Sequence, residues 1–336
     1  MQQAEESISK IPMFFIIGRG RSGATLLRTM LDAHPNITIP SESRFIQFLF
    51  YKYYHVKKWN QRILLRLHKD ISESIEPINI DKVVLRDTLL HMKEHIDFST
   101  ICKASYLCVK SIYDKDQIKI IGDKNSRYAF FIKSLLHIFP DAKFIHITRD
   151  YRDSTLSFFK VKGKKTEKKN AAFLAFRWKY YNRQIIKCKN KNPDRFFTIR
   201  YEDLINSPER KLGEVCHFLT VDYHAAMLDY HITIDKYYDI SSKEFKAIHS
   251  GMREPIDNKK SEIWKSLMKE RDIKKSDLIA GRIAELLGYE RKYKGGHLLL
   301  RSSLLFIIIA AWFPLFMKKI FYQIPSLMRA YYDIKY

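Results

Sequence analysis

Glycine and proline are scarce in this chain, 11 and 10 of 336 residues. Linker-dominated and low-complexity proteins need far more of both. With 46% apolar residues the chain can bury a sizeable core, so long disorder is excluded as well. No internal repeat of 20–50-residue period is present, which removes solenoids and propellers. Cysteine is nearly absent: Cys102, Cys108, Cys188 and Cys216 form no CxxC pair. Their spacing suits neither a zinc site nor a dense disulfide framework, so reduced packing thiols and a cytoplasmic location are expected. The polar residues 1–10 include Glu5 and Glu6 and lack a signal pattern, so export by that route is not expected. Carboxylates and histidines do not cluster at ligand spacing, and no metal is expected.

Acidic residues are also in deficit, 37 against 60 Lys+Arg, leaving a net charge of +23. Such a surplus favours anionic partners: nucleotide phosphates, an acidic membrane surface or nucleic acid. Genome composition alone also yields lysine-rich surfaces. No nucleic-acid motif accompanies the charge, and the lysines are not interleaved with aromatics on one segment, so nucleic acid is not an expected partner.

Residues 13–17, MFFII, form a short continuous apolar run that reads as a buried parallel strand. Similar runs at 118–121, 143–148 and 196–199 predict further core strands. Helical patterns separate them, at 25–31, 128–139 and 171–188. This alternation predicts an α/β fold: a P-loop-like parallel β-sheet flanked by helices. The aromatic, then charged region 45–110 reads as a mostly helical insertion over the sheet edge. The lysine run at 160–170 reads as a solvated loop, or else as a lid near an anionic ligand.

Gly18-Arg-Gly-Arg-Ser-Gly-Ala-Thr25 follows the first strand and opens a helix, the setting in which a backbone loop cradles phosphate. It nearly satisfies GxxxxGK[ST], but Ala24 stands where the lysine should reach the β- and γ-phosphates. A loop that keeps the cradle and loses that lysine suits a phosphate with no γ group, and it counts against a nucleotide-dependent kinase. The whole segment FIIGRGRSGATLLRTMLDAHP, residues 15–35, resembles the 5′-phosphosulfate loop of sulfotransferases, above all the tyrosylprotein sulfotransferase branch and its bacterial relatives. That family reads PRSGTTL before a helix ending LDAHP. Arg21, Ser22, Gly23 and Thr25 match, Gly20 replaces the proline, and Ala24 replaces the first threonine.

Two further segments carry the resemblance. In KFIHITRDYRDSTLS, residues 143–157, Arg149 ends a strand and Ser157 follows eight residues on, the spacing with which the family binds the cofactor's 3′-phosphate. A guanidinium and a hydroxyl near a helix start suit a phosphate dianion. In IRYEDL, residues 199–204, Tyr201 matches the family tyrosine near the adenine, whereas Glu202 and Asp203 read equally well as a structural turn. The resemblance implies a sulfotransferase fold and catalytic domain over residues 1–295. It also implies 3′-phosphoadenosine 5′-phosphosulfate (PAPS) as sulfuryl donor, in-line transfer to an acceptor hydroxyl and a phosphate site built by Arg21, Ser22, Gly23, Ala24 and Thr25.

Sulfuryl transfer requires alignment, removal of the acceptor proton and neutralisation of the leaving phosphate. Glu42 lies twenty-one residues after Arg21, where the tyrosylprotein branch has a catalytic glutamate, and is the candidate base. The alternative for Glu42 is a helix N-terminal carboxylate. Arg21 and Lys124 are the candidates for stabilising charge on the leaving phosphate. Ser250, with His249, falls in the region where relatives have a cofactor-covering loop before a tryptophan, here Trp264. His34 reads as structural.

Residues 304–317 contain no charge, and Arg291, Lys292, Lys294, Lys318 and Lys319 flank them. Fourteen residues fall short of a spanning helix, and Pro314 is expected to kink one. The hydrophobic, basic segment 296–336 therefore reads as an in-plane or re-entrant membrane contact, against a docked core helix or a true span. It suggests a cytoplasmic enzyme at the inner face of a membrane, acting on a sterol or other lipid hydroxyl, or another small molecule. A carbohydrate hydroxyl comes next, and protein tyrosine after it.

Overall fold

Every residue of Met13–Ile17 (β1) is buried, and the residues alternate between two cores. Met13, Phe15 and Ile17 enter one, Phe14 and Ile16 the other. A strand covered on both faces needs apolar side chains throughout, which is why it reads as a run. The computed structural model describes residues 2–40, 45–74, 80–93, 95–160, 170–239, 253–295 and 298–321. β1 lies at the centre of a five-stranded parallel sheet with Ile37–Thr38 (β2), Ile120–Lys124 (β3), Lys143–Thr148 (β4) and Phe196–Arg200 (β5), in the order β2-β3-β1-β4-β5.

The predicted strand at 118–121 lies two residues further on and includes Gly122, Asp123 and Lys124. Asp123 is tolerated because Tyr106 Oη donates to its Oδ2 at 2.7 Å and Tyr128 Oη to the same atom. The 128–139 pattern divides into a 3-10 turn at Ser126–Phe130 and the helix Ile132–Ile138.

Helices Ala24–Asp32 and Pro208–Leu219 contribute Leu27, Leu31, Leu212 and Val215 to the second core. On the other face the region after residue 44 is helical, as expected: Phe45–Tyr53, Gln61–Ser74, Lys82–Leu90 and Phe98–Leu107. These helices do more than cover an edge. Ile46, Leu67, Leu85 and Ile101 share one core with Phe15 and Phe144 of the central strands, so the insertion closes a face of the sheet. The nineteen-residue helix Ala171–Lys189 continues this layer. The apolar helix Leu298–Phe321 packs along it and continues through Pro314 as one element.

Candidate active site

The residues after β1 turn sharply into the Ala24–Asp32 helix. Gly18 passes so close to β4 that a Cβ there would stand 2.4 Å from the Ile147 carbonyl oxygen. Gly23 has φ 91° and Arg21 φ 70°, both left-handed. Gly23 offers the helix no side-chain cap, so the first-turn N–H groups remain available to a ligand. The buried Ser22 Oγ has no hydrogen-bond partner among the described residues. Unclaimed donors of this kind at a helix N-terminus suit an anion.

Three other strand ends meet this loop. β3 pairs with β1 so that Lys124 is level with Ile16, and Lys124 is the last residue of its strand rather than the first of a loop. Its Nζ reaches Thr25 Oγ1 at 3.4 Å. Arg149 follows β4 directly. Its Nη2 donates to the Lys260 carbonyl at 2.7 Å, and its guanidinium lies 4.5 Å from the Tyr201 ring centroid. Tyr201 follows β5 and fills the space that a side chain at position 23 would need. Arg21 Nε donates to Ser157 Oγ at 2.8 Å, joining the first motif to the second.

Arg21, Gly23, Ala24, Thr25, Lys124, Arg149, Ser157 and Tyr201 thereby line one cavity of about 580 Å³, within the range of nucleotide-sized ligand sites. Ser22 lies buried beside the same loop. Burial pulls the Arg21 pKa down, and the like charge of Arg149 adds to the effect. Two guanidiniums lining one partly buried wall favour an anionic ligand. Glu42, His249 and Ser250 lie outside the described residues.

Sequence reasoning missed part of the lining. Arg19 is 4% exposed, and its guanidinium sits 4.4 Å over the Phe158 ring. Asp153 brings a carboxyl into a basic wall, where burial raises its pKa. It accepts from the Trp264 backbone N–H at 2.8 Å and so fastens the stretch that supplies Pro255, Ile256 and Ile263. A charged residue in the loop motif signals Arg19; the expected cofactor-covering stretch before Trp264 falls in the region of the 255–263 wall, but the sequence does not single out its individual lining residues. His34 is structural, as expected: Asn36 N–H donates to its Nδ1 at 3.0 Å, leaving Nε2–H to donate to the Asp222 carbonyl at 2.8 Å. Glu202 likewise serves the frame, accepting from Asp150 N at 2.9 Å and Tyr289 Oη at 3.0 Å.

Comparison with known proteins gives the family and the fold. A family profile described as the sulfotransferase family matches residues 12–225. The protein-tyrosine sulfotransferase of Drosophila melanogaster is 25% identical over 258 residues, 76% of this chain but 47% of that protein. Protein-tyrosine sulfotransferase 1 of Danio rerio is 24% identical, with 83% and 73% covered. Among solved structures, the sulfotransferase domain of the Synechococcus PCC 7002 olefin synthase superposes with a TM-score of 0.54 at 21% identity, over 83% of this chain and 95% of that domain. The sulfotransferase domain from the curacin biosynthetic pathway does so with 0.55 at 19% identity, over 83% and 98%. At that identity the likeness is one of fold; with the profile match it means that this chain belongs to the sulfotransferase family and is a transferase of sulfate groups.

Proposed function

We propose that the chain binds PAPS in this cavity and transfers the sulfuryl group to an acceptor hydroxyl. What carries the reading is the convergence of Arg21, Thr25, Lys124, Arg149 and Ser157, drawn from three segments, on one cavity wall. The residues fit the donor. An open helix start and the orphaned Ser22 hydroxyl suit the 5′-phosphosulfate, Arg149 and Ser157 suit the 3′-phosphate, and the Tyr201 ring suits an aromatic base.

The donor supplies a sulfur whose bond to the phosphate oxygen breaks as a bond to the acceptor oxygen forms. Arg21 and Lys124 hold positive charge where the phosphate oxygen becomes negative. Glu42 takes the acceptor proton, a contribution of about 10²–10⁴-fold in such roles. Ser157 keeps Arg21 oriented through the Oγ contact.

For acceptors we propose a sterol or other lipid hydroxyl first and a carbohydrate hydroxyl second. The apolar 296–336 segment supports the lipid, and with it peripheral contact at a membrane's inner face. A protein tyrosine is a further reading, supported by relatives named protein-tyrosine sulfotransferases. The four free thiols support a reducing, cytoplasmic setting.

Adenosine 3′,5′-bisphosphate, the spent donor, tests the site. At 100 times its dissociation constant it should stabilise the protein by about 2.7 kcal/mol. The thermal shift should vanish in Arg149→Ala and be absent with AMP. A shift with Mg-ATP and none with the bisphosphate would sink the proposal. Glu42→Gln should keep the shift and lose turnover.

A further inference from the structure

Over Leu304–Met317 the helix Leu298–Phe321 is apolar around its circumference, yet among the described residues only one side of it is covered. Leu304, Ala311 and Leu315 are buried along one stripe. Leu304 packs with Ala172, Ala175 and Ile279, and Leu315 joins the main core. The other stripe, Leu305, Phe306, Ile309, Trp312, Phe313 and Met317, faces outward, with Phe306 79% exposed. Over Leu304–Phe321 the mean hydropathy is 2.0 while 18% of the window is buried. A contiguous apolar strip of this kind on a charged protein marks an interaction surface.

Charge decides what covers it. Lys292 and Lys294 are exposed just before the helix, while Arg291 is largely buried and paired with Glu285 at 2.8 Å. At its far end burial raises the Cys188 thiol pKa, and the nearby positive charges of Lys133, Lys191 and Lys319 oppose that rise, which puts further basic charge there. A second copy would bring +23 against +23, whereas an anionic bilayer offers the opposite sign at both ends of the strip. The docked stripe bears on the orientation too. Crossing a bilayer would require the helix to leave the Ala171–Lys189 helix and expose Leu304, Ala311 and Leu315. We infer that the helix stays docked, lies in the membrane plane and seats its outer strip in an anionic lipid surface. This deepens the membrane contact proposed above and does not depend on the donor chemistry.

The chain has four tryptophans, and Trp59, Trp178 and Trp264 are buried, so Trp312 is the one that lipid can reach. Full-length protein is mixed with phosphatidylcholine vesicles, with or without phosphatidylglycerol, containing lipids brominated near the headgroup or near the chain end. Binding should require phosphatidylglycerol, weaken with salt, and bring stronger quenching from the shallow bromines. Phe306→Ser, Ile309→Ser and Phe313→Ser together should cut partitioning at least about tenfold, with an unchanged melting temperature. No binding to anionic vesicles overturns the inference, and so does strongest quenching by the deep bromines, the mark of a spanning helix. A dimer that the triple variant dissociates would assign the strip to a second copy instead. No donor or acceptor is present in these mixtures, so sulfuryl transfer stands or falls separately, on the bisphosphate titration.

Discussion

A Cβ on Gly23 would stand 2.3 Å from Tyr201 Cδ2, at a φ of 91° that L side chains resist. Gly23→Ala should therefore cost about 1–2 kcal/mol from the backbone alone. It should also push Tyr201, and Arg149 stacked on it, away from the loop. A lower urea midpoint together with weaker bisphosphate binding would check this; unchanged binding would mean that the ring is not part of the site. His146 on β4 makes a second prediction. It is fully buried, and burial lowers its pKa to about 4. Asn182 Nδ2 donates to the Trp178 carbonyl at 2.9 Å, so its Oδ1 accepts from His146 Nε2–H at 2.7 Å. Between pH 6.5 and about 4 the unfolded chain takes up a proton there that the folded chain refuses. Stability from this residue is thus lost as pH falls, by about 3 kcal/mol over the window. Asp153, Glu202 and Asp277, raised by burial, act with the opposite sign and stabilise as they protonate. Subtracting the pH 7 to pH 4.5 change in unfolding free energy of His146→Gln from that of the parent isolates the histidine. A zero difference would refute it.

Among elements, the Ala171–Lys189 helix supports most of one side: the helices Tyr151–Phe159, Glu270–Ala280 and Leu298–Phe321 all pack on it. Asn170 caps its start, accepting from Ala172 N at 3.0 Å and Phe173 N at 3.2 Å. Asn170→Ala should lower stability by about 1 kcal/mol, read from a urea titration, with donor affinity unchanged. β1 and β4 were legible in the sequence because strands buried on both faces read as apolar runs, and the edge strand β5 because Phe196 and Ile199 are buried. β2 was not: it is two residues long, and its position depends on Lys115, whose Nζ donates to the carbonyls of His34 at 3.1 Å and Ile37 at 2.6 Å from about 80 residues downstream. Lys124 seemed to follow a strand because Asp123 looks like a loop residue; two tyrosines distant in sequence make it a strand residue. The same division holds for the site. Arg21, Lys124, Arg149 and Ser157 follow apolar runs and glycines, whereas the Pro255–Ile263 wall is held by tertiary contacts to Asp153 and Arg149 that leave no local trace.

For the molecule as a whole, a charge of +23 should steer an anionic donor toward the basic cavity. Stopped-flow association of the bisphosphate should slow by about tenfold between low and high salt, as the Debye length contracts from about 30 to about 3 Å. A salt-independent rate would mean that the surplus is spread without focus on the site. The strand order has a different kind of consequence. β1 is made before the other four strands of the sheet, yet it occupies the middle, and both its partners, β3 and β4, begin more than 100 residues later. At about 5–20 residues per second, the ribosome leaves Met13–Ile17 without either neighbour for some 5–25 s. During synthesis a wholly apolar strand with two open edges is thus an aggregation hazard, and a holding chaperone on that segment would shield it until β3 and β4 are made.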